Sequence, residues 1–369
     1  MKFFLIAGEP SGDRLGAALM VGLKALSPDV EFGGVGGPMM QAEGMTSLFP
    51  MDDLSVMGIA EVLPKYLHLK RRIAEAAAAA LAYNPVALIT IDSPDFCLRV
   101  AAIVKQAQPT LRTIHYVAPS VWAWRPGRAV KMARVIDHVL ALLPFEPPYM
   151  TAAGMTCDFV GHPVVSEIPE QSVKPAFGDS PLILALPGSR RGEVTRLAPV
   201  FGQTLVAVMA KYPKARVVLP TLESIAPLVD AFTKQWPIPC DIITDAAEKR
   251  SAFALANVAL AASGTVSLEL TAHGCPMVIA YDMHPVTLWL MQRMARIDTV
   301  TLVNLVSETR SIPEFIGKNC RADLIAPALL DVLENPTAQA KAMDLTLHRL
   351  GRGGEAPGLR AARSVLAHI

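Results

Sequence analysis

The segment KFFLIAGEPSGDRLG (2–16) decides the fold class of this chain. An apolar run, Phe3–Ala7, stops at Gly8, and three glycines stand four residues apart, at positions 8, 12 and 16. Glu9, Ser11 and Asp13 lie between them. This pattern predicts a buried strand, a tight loop with exposed polar groups, and the start of a helix. Ligands of open α/β sheets bind outside the carboxyl ends of the strands, so we expect a functional loop here.

The glycine spacing does not match the common nucleotide-binding motifs. It is neither GxGxxG nor GxxxxGK[ST], which disfavours a nicotinamide dehydrogenase and a P-loop protein. A helix start that needs small residues only for packing is the simpler alternative. This segment taken alone leaves that alternative open.

Composition excludes several classes of protein. The 369 residues suffice for two domains, and 34 basic against 33 acidic residues give no field that would attract nucleic acid. The chain is 52% hydrophobic with a mean hydropathy of +0.36, yet no apolar run approaches the roughly 18–20 residues of a membrane span. We therefore expect either a large buried core or a protein that rests on a membrane surface.

Cysteine and histidine usage indicates the compartment and the metal content. The five cysteines form no CxxC pair, which is typical of reduced thiols in the cytoplasm. One lysine and an apolar run of only five residues stand before Gly8, too short for a signal peptide. The eight histidines show no ligand spacing, so we expect no metal.

Strand and helix patterns alternate along the chain, which predicts parallel sheets with right-handed crossovers. A proline-rich stretch at 168–181 interrupts the alternation and resembles a linker. We predict an N-terminal domain (1–167), this linker, a second α/β domain (182–350) and a C-terminal tail (351–369) whose helix packs back on the first domain, with a cleft between the domains. The predicted strands are Phe3–Ala7, Val86–Ile91, Thr113–Val117, Val139–Leu143, Leu182–Leu186, Ala215–Leu219, Asp241–Thr244, Val258–Ala261 and Met277–Tyr281.

Two loops of the second domain are suited to phosphate. In LPGSR (186–190), Gly188 permits close approach to the backbone, Ser189 offers a hydroxyl, and Arg190 can bind phosphate through two hydrogen bonds. The alternative is an ordinary strand–turn–helix with a solvated arginine pair.

The second loop is Ser263-Gly264-Thr265, again between a strand and a helix. Glu269 follows one turn later and can accept hydrogen bonds from a ribose diol. The alternative is a simple helix cap made by a hydroxyl of the loop. Two such loops in one α/β domain favour a nucleoside diphosphate.

The first domain offers acidic and aromatic groups. Asp92 directly follows a strand, where a general base would face the crevice, although a turn aspartate before Pro94 is the alternative. The segment Trp122-Ala123-Trp124, beside Arg125 and Arg128, is suited to the floor of a sugar or acyl site, or else to core packing.

Residues 56–72 (VMGIAEVLPKYLHLKRR) combine an apolar patch with bordering cations. This combination is typical of an interfacial membrane contact. The alternative is a helix that buries its apolar side in the core.

Taken together, these segments resemble the lipid-A-disaccharide synthase family. The resemblance spans nearly the whole chain, and its most specific parts are GEPSGDRLGA (8–17) and YVAPSVWAWRPGR (116–128). Two departures are Pro10, where the family usually has Ala, and Gly317, where it usually has Gln. The other matching segments are GGVGGPMM (33–40), MGIAEVL (57–63), IDSPDF (91–96), LPFE (143–146), FVGHP (159–163), LPGSR..E (186–193), ASGTVSLEL (262–270) and VNLV (303–306).

The resemblance implies a GT-B fold, with two Rossmann-like, doubly wound parallel-sheet domains and an interdomain cleft. It implies an inverting, metal-independent transfer with no cofactor, in which UDP-2,3-diacylglucosamine and 2,3-diacylglucosamine 1-phosphate form a β-1,6 disaccharide and UDP. It also implies work at the cytoplasmic face of the inner membrane. Members of the family often form homodimers, so a second copy is a further implied partner.

The resemblance also assigns roles to residues. Asp92 is the implied base, with Glu9 and Ser11 on the acceptor side. Implied nucleotide-site residues are Gly188, Ser189, Arg190, Ser263, Gly264, Thr265, Glu269 and Asn304. The rival functions are another GT-B enzyme that uses UDP-N-acetylglucosamine, such as an epimerase or a peptidoglycan transferase, and a non-catalytic protein that binds acylated sugars on a membrane.

Overall fold

The computed structural model describes residues 1–54, 59–168, 178, 180–283, 288–289 and 293–369, with the backbone alone at 59–66. The chain divides into two compact units. Unit 1 comprises Met1–Ser166 and Gly353–Ile369, and unit 2 comprises Glu167–Arg352. Most of the proposed linker, residues 169–177 and 179, lies outside the described residues.

Unit 1 contains a six-stranded parallel sheet in the order β2-β1-β3-β4-β5-β6. Its central strands are apolar and buried along their length because helices cover both faces of such a sheet. The strands are β1 (Lys2–Ala7), β2 (Glu31–Val35), β3 (Ala87–Ile91), β4 (Arg112–Tyr116), β5 (His138–Ala141) and β6 (Thr156–Phe159). The helices of this part of the chain are α1 (Pro10–Leu26), α2 (Pro38–Ala42), α3 (Ile59–Tyr83), α4 (Pro94–Ala107), α5 (Gly127–Met132) and α6 (Pro147–Thr151).

Unit 2 repeats this architecture with a sheet in the order β12-β11-β10-β7-β8-β9, again parallel. Its strands are β7 (Leu182–Leu186), β8 (Arg216–Pro220), β9 (Asp241–Ile243), β10 (Val258–Ala261), β11 (Met277–Tyr281) and β12 (Glu314–Ile316). Its described helices are α7 (Arg191–Lys211), α8 (Ala226–Thr233), α9 (Ala246–Leu255), α10 (Val266–Ala272), α11 (Leu302–Ser307), α12 (Ala322–Glu334) and α13 (Thr337–Arg349).

A last helix, α14 (Pro357–Ala367), returns to unit 1 and packs against α1. The two helices approach closely through glycine, because a Cβ at Gly358 would lie 2.5 Å from the carbonyl oxygen of Ala18. A Cβ at Gly22 would in turn lie 2.6 Å from the carbonyl oxygen of Gly358. Side chains larger than hydrogen at these two positions would separate α14 from α1.

The predicted fold class of two Rossmann-like α/β units is confirmed. The predicted strands Leu182–Leu186, Val258–Ala261 and Met277–Tyr281 have the observed bounds, and the other predicted strands begin or end within two residues of them. Three strands escaped prediction, β2, β6 and β12. They lie at sheet edges, where half-exposed backbones need no continuous apolar run, and β2 contains two glycines.

Candidate functional site

Unit 2 holds a cavity of about 420 Å³ at the carboxyl ends of β7, β8 and β10. Both loops that the sequence indicated for phosphate open into it, which is the position expected for a ligand of a parallel sheet. The lining residues are Leu186, Gly188, Ser189, Arg190, Glu193, Pro220, Thr221, Leu222, Lys249, Phe253, Ala262, Ser263, Gly264, Thr265, Val266 and Glu269.

The first loop is shaped by Gly188 and Glu193. Gly188 has a left-handed backbone (φ +108°), and a Cβ there would collide with the Glu193 carboxylate. That carboxylate accepts hydrogen bonds from the backbone N–H groups of Ser189 (3.2 Å) and Arg190 (3.3 Å), and its other oxygen contacts the Arg190 guanidinium at 3.3 Å. Glycine is therefore required at 188 for the loop to close on Glu193.

Two backbone groups of this loop are already hydrogen-bonded. The carboxylate of Glu193 accepts from the N–H groups of Ser189 and Arg190, because Glu193 stands at the third position of α7 and forms a capping box. Ser189 and Arg190 would therefore contact an anion through their side chains.

The second loop, Ser263–Thr265, is open. Gly264 has φ +155°, and a Cβ there would meet nothing within 4 Å. In the part of the chain that the structure describes, the N–H groups of Gly264 and Thr265 have no hydrogen-bond partner. Backbone N–H groups that face a cavity are good donors to phosphate oxygens.

Glu269, in the first turn of α10, lines the same cavity and is paired with Lys249 of α9. The Lys249 Nζ donates to Glu269 Oε2 at 2.9 Å and lies 5.1 Å from the centre of the Phe253 ring. Lys249, Phe253 and Thr221 were not predicted from the sequence, because they belong to no motif and lie far along the chain from either glycine loop. Their positions in the segments that follow β8 and β9, two strands of the same sheet, could have indicated that they lie near its carboxyl edge.

Asn304 is not brought to this cavity. It is 1% exposed, and its amide oxygen accepts from Ile312 N–H (3.0 Å) while its amide nitrogen donates to the Ile312 carbonyl (2.9 Å). The nearby Glu314 accepts from the Thr301 N–H at 2.7 Å and thereby holds the segment 299–301. The polar side chain of Asn304 thus shapes a turn, which the sequence pattern could not distinguish from ligand contact.

Unit 1 carries its polar groups at the carboxyl ends of β1, β3, β4 and β5. Asp92 follows β3, is half-buried, and donates its backbone N–H to the Tyr116 carbonyl at 2.9 Å. Burial raises the pKa of its carboxyl. Asp92 (φ +52°), Ser93 (φ +43°) and Val117 (φ +83°) all have left-handed backbones. Such strain on non-glycine residues concentrates at functional sites.

The loop of Glu9 packs against the loop of Asp92. A Cβ at Gly8 would lie 2.5 Å from the Ser93 hydroxyl, so only glycine permits this approach. Glu9 is half-buried and precedes α1, whereas Ser11 is exposed on the first turn of that helix. Pro10 is the first residue of α1, a position that favours proline because its missing N–H has no helical partner.

The two tryptophans of the 116–128 motif differ in their surroundings. Trp122 is buried, stacks edge-on with Phe145 at 5.1 Å, and donates its indole N–H to Glu146 at 3.2 Å. Trp124 is half-buried, and the Arg125 guanidinium lies over its ring, 4.3 Å from the ring centre. Trp122 therefore anchors the loop, and Trp124 presents its ring with a cation.

Glu146 is a buried carboxyl that makes unit 1 sensitive to pH. It is 4% exposed, and burial raises its pKa to about 7. The unfolded chain ionises this group near its ordinary pKa, so stability is lost as the pH rises from about 4.5 towards 7 and then levels off. Between pH 5 and pH 8 the free energy of unfolding of the wild type should fall by roughly 2 kcal/mol more than that of the Glu146→Gln variant. Denaturant unfolding of both proteins at the two pH values measures this difference, and parallel pH profiles would contradict it.

A cluster of His138, Asp158 and His368 is the one group of potential metal ligands among the described residues. His138 is the first residue of β5, at the opposite end of the strand from the carboxyl edge, and Asp158 is the third residue of β6. The His138 Nε2 is 2.9 Å from the Ser364 hydroxyl, which in turn donates to Asp158 at 2.6 Å. The cluster thus joins α14 to the sheet through hydrogen bonds.

The cation-bordered segment 56–72 is described only in part. Residues 56–58 and the side chains of 59–66 lie outside the described residues. Leu67 is 78% exposed, and Lys70 and Arg71 are exposed beside it, whereas Ile73 is buried against the sheet. No helix among the described residues is long and apolar enough to span a bilayer.

Two solved structures share this fold. The chain superposes on UDP-GlcNAc 2-epimerase from Neisseria meningitidis bound to UDP-GlcNAc with a TM-score of 0.66 and 11% identity, covering 100% of this chain and 99% of the other. It superposes on the glycotransferase of kitacinnamycin with a TM-score of 0.63 and 15% identity over 100% and 98% of the two chains. Two Rossmann-like units of this kind define the GT-B fold class.

Sequence relatives identify the family within that class. The family model for lipid-A-disaccharide synthetase matches residues 3–364. The lipid-A-disaccharide synthase of Ruegeria pomeroyi is 59% identical over 100% of this chain and 96% of its own length. That of Rhodospirillum centenum is 46% identical over 99% and 94%. The chain belongs to the lipid-A-disaccharide synthase family, as the sequence motifs predicted.

Proposed function

We propose that this protein transfers 2,3-diacylglucosamine from UDP to the 6-hydroxyl of 2,3-diacylglucosamine 1-phosphate. The products are a β-1,6-linked disaccharide 1-phosphate and UDP. The observation that carries this proposal is the cavity of unit 2, which two phosphate-suited loops and Glu269 line in a chain of this family. The acyl groups of both substrates distinguish this reaction from those of other GT-B enzymes.

The cavity of unit 2 is the proposed UDP site. The open N–H groups of Gly264 and Thr265, the Ser189 hydroxyl and the Arg190 guanidinium would hold the diphosphate. Glu269 would accept hydrogen bonds from the ribose hydroxyls. These donors are fixed before the reaction begins, so they stabilise the charge that grows on UDP as its bond to the sugar breaks.

Asp92 is the proposed general base. The acceptor hydroxyl is a very weak acid, so its proton must be removed as the new carbon–oxygen bond forms. Burial raises the pKa of the Asp92 carboxyl, which makes its carboxylate a stronger base. The half-buried Glu9 and the exposed Ser11, on the loop that packs against Ser93, would contact the acceptor sugar.

We propose that the reaction needs no metal ion. In many phosphate-transferring enzymes a divalent cation neutralises the diphosphate. Here the cavity supplies the Arg190 guanidinium and backbone N–H groups for that charge. Turnover that is insensitive to EDTA would support this proposal, and turnover that EDTA abolishes and magnesium restores would oppose it.

We propose that the protein acts at the cytoplasmic face of the inner membrane. Both substrates carry acyl chains, and exposed Leu67 stands beside the cations Lys70 and Arg71. Such a surface suits anionic headgroups with shallow apolar insertion. Flotation with anionic vesicles should recover the wild type and markedly less of a folded Leu67→Ser variant; equal recovery of both would remove Leu67 from the contact.

Competition between two donors tests the substrate class. UDP-2,3-diacylglucosamine should be consumed with release of UDP, whereas unacylated UDP-N-acetylglucosamine should be neither epimerised nor transferred. Epimerisation of the unacylated donor would favour the second candidate function, which the epimerase-like fold supports.

A further inference from the structure

The described residues that line the cavity of unit 2 carry no net charge. Its charged lining residues, within the described part of the chain, are two cations and two carboxylates. They stand in two pairs, Arg190 with Glu193 at 3.3 Å and Lys249 with Glu269 at 2.9 Å. UDP adds further negative charge, so a cation that lines this cavity must exchange its partner for the nucleotide to be neutralised.

The pair of Lys249 and Glu269 is suited to such an exchange. Both side chains are partly exposed (44% and 37%), and an ion pair of this kind contributes little to stability, so opening it costs little. Lys249 belongs to α9, whose N-terminus is capped by Asp245. The Phe253 ring of the same helix lies 5.1 Å from the Lys249 ammonium group. The helix is thus fixed while the ammonium group can turn.

The pair of Arg190 and Glu193 is less suited to a complete exchange, so Arg190 would bind the diphosphate while its guanidinium keeps its contact with Glu193. Glu193 is buried and also accepts the backbone N–H groups of Ser189 and Arg190. Moving the guanidinium away would leave this carboxylate poorly hydrated and without its cation, held by the two backbone N–H groups and by the Tyr281 hydroxyl. Glu269 makes no comparable backbone bonds through its carboxylate among the described residues, and it gains the ribose hydroxyls when UDP binds.

We propose that Lys249 is a further donor-binding residue, which leaves Glu269 and binds the diphosphate when UDP enters the cavity. This inference rests on the proposed function of the cavity as the UDP site. The exchange couples the two halves of the nucleotide, because Glu269 becomes available to the ribose as Lys249 becomes available to the phosphates. Lys249 would also neutralise the charge that develops on departing UDP.

The test compares uridine, UMP and UDP as probes of the full-length wild type and of Lys249→Met by calorimetry. Loss of a charge-assisted contact to phosphate should weaken UDP binding by roughly 10–100-fold in the variant. The affinity for uridine should stay within about twofold of the wild-type value. Added salt should weaken the binding of UDP more in the wild type than in the variant. Lys249→Arg should keep most of the affinity for UDP.

Lys234→Met is the matched control, since Lys234 forms an ion pair with Asp230 at 2.6 Å on α8 and does not line the cavity. Its affinity for UDP should equal that of the wild type. An equal loss of uridine, UMP and UDP in Lys249→Met would show that Lys249 only orients Glu269, and unchanged binding of all three would exclude any contact. Either result overturns the inference. A wild type that binds no UDP would instead refute the proposed function.

The Glu269→Gln background separates direct contact from positioning. If Lys249 binds phosphate, adding Lys249→Met to Glu269→Gln should still lower the affinity for UDP by about tenfold. If Lys249 acts only through Glu269, the second substitution should have no further effect, and the proposal fails. Thermal unfolding of each variant checks that the fold of unit 2 is intact.

Discussion

Turnover of the Asp92→Asn variant should fall by roughly 10²–10⁴-fold, while its affinity for UDP stays at the wild-type value. The amide keeps the size of the side chain but cannot accept the proton of the acceptor hydroxyl. Asp92 sits on a strained, left-handed backbone between β3 and α4, so its position does not depend on the charge alone. Single-turnover kinetics with saturating donor and acceptor measure the effect on chemistry.

Asp95→Asn serves as the matched control for this prediction. Asp95 lies three residues further along the chain, is exposed, and is in the first turn of α4. Its turnover should remain within a few-fold of the wild type. Near-normal turnover of Asp92→Asn would remove Asp92 as the base and direct attention to half-buried Glu9, whose loop packs against Ser93.

Glu269→Ala should raise KM for the donor by roughly 10–100-fold with a much smaller change in kcat, because hydrogen bonds to a charged group contribute about 1.5–3 kcal/mol. The ribose is held equally in the ground state and in the transition state of sugar transfer. Loss of the Glu269 carboxylate therefore weakens donor binding in both states. Initial rates over a range of donor concentrations, with the acceptor saturating, separate the two constants.

Glu248→Ala is a suitable comparison for Glu269→Ala. Glu248 is exposed on α9 and does not line the cavity, so its removal should leave KM unchanged. A Glu269→Ala variant with normal KM and strongly reduced kcat would contradict a ribose-binding role and would indicate a role in the chemical step.

Much of the fold could be predicted because parallel sheets bury their central strands on both faces. The run at Phe3–Ala7 and the runs that became β7, β10 and β11 are short, apolar and bounded by polar or turn residues, so their periodicity identifies them. Edge strands such as β12, only three residues long, lack that signal because one side of the strand is unpaired.

Only those parts of the site that lie in glycine loops directly after strands could be predicted from the sequence. Gly188 and Gly264 were accessible from the sequence because each interrupts a strand–helix transition, and both have positive φ. Lys249 was not, since it enters the cavity from a neighbouring strand–helix connection with no motif of its own. The role of Glu193 was also hidden, because a capping carboxylate and a ligand-binding one look alike in sequence.

Release of UDP from UDP-2,3-diacylglucosamine, with and without 2,3-diacylglucosamine 1-phosphate and with EDTA present, tests the central claim most directly. We predict release that requires the acceptor, is unchanged by EDTA and yields one disaccharide 1-phosphate per UDP. Failure to release UDP under these conditions, or acceptor-independent release from unacylated UDP-N-acetylglucosamine, would contradict it.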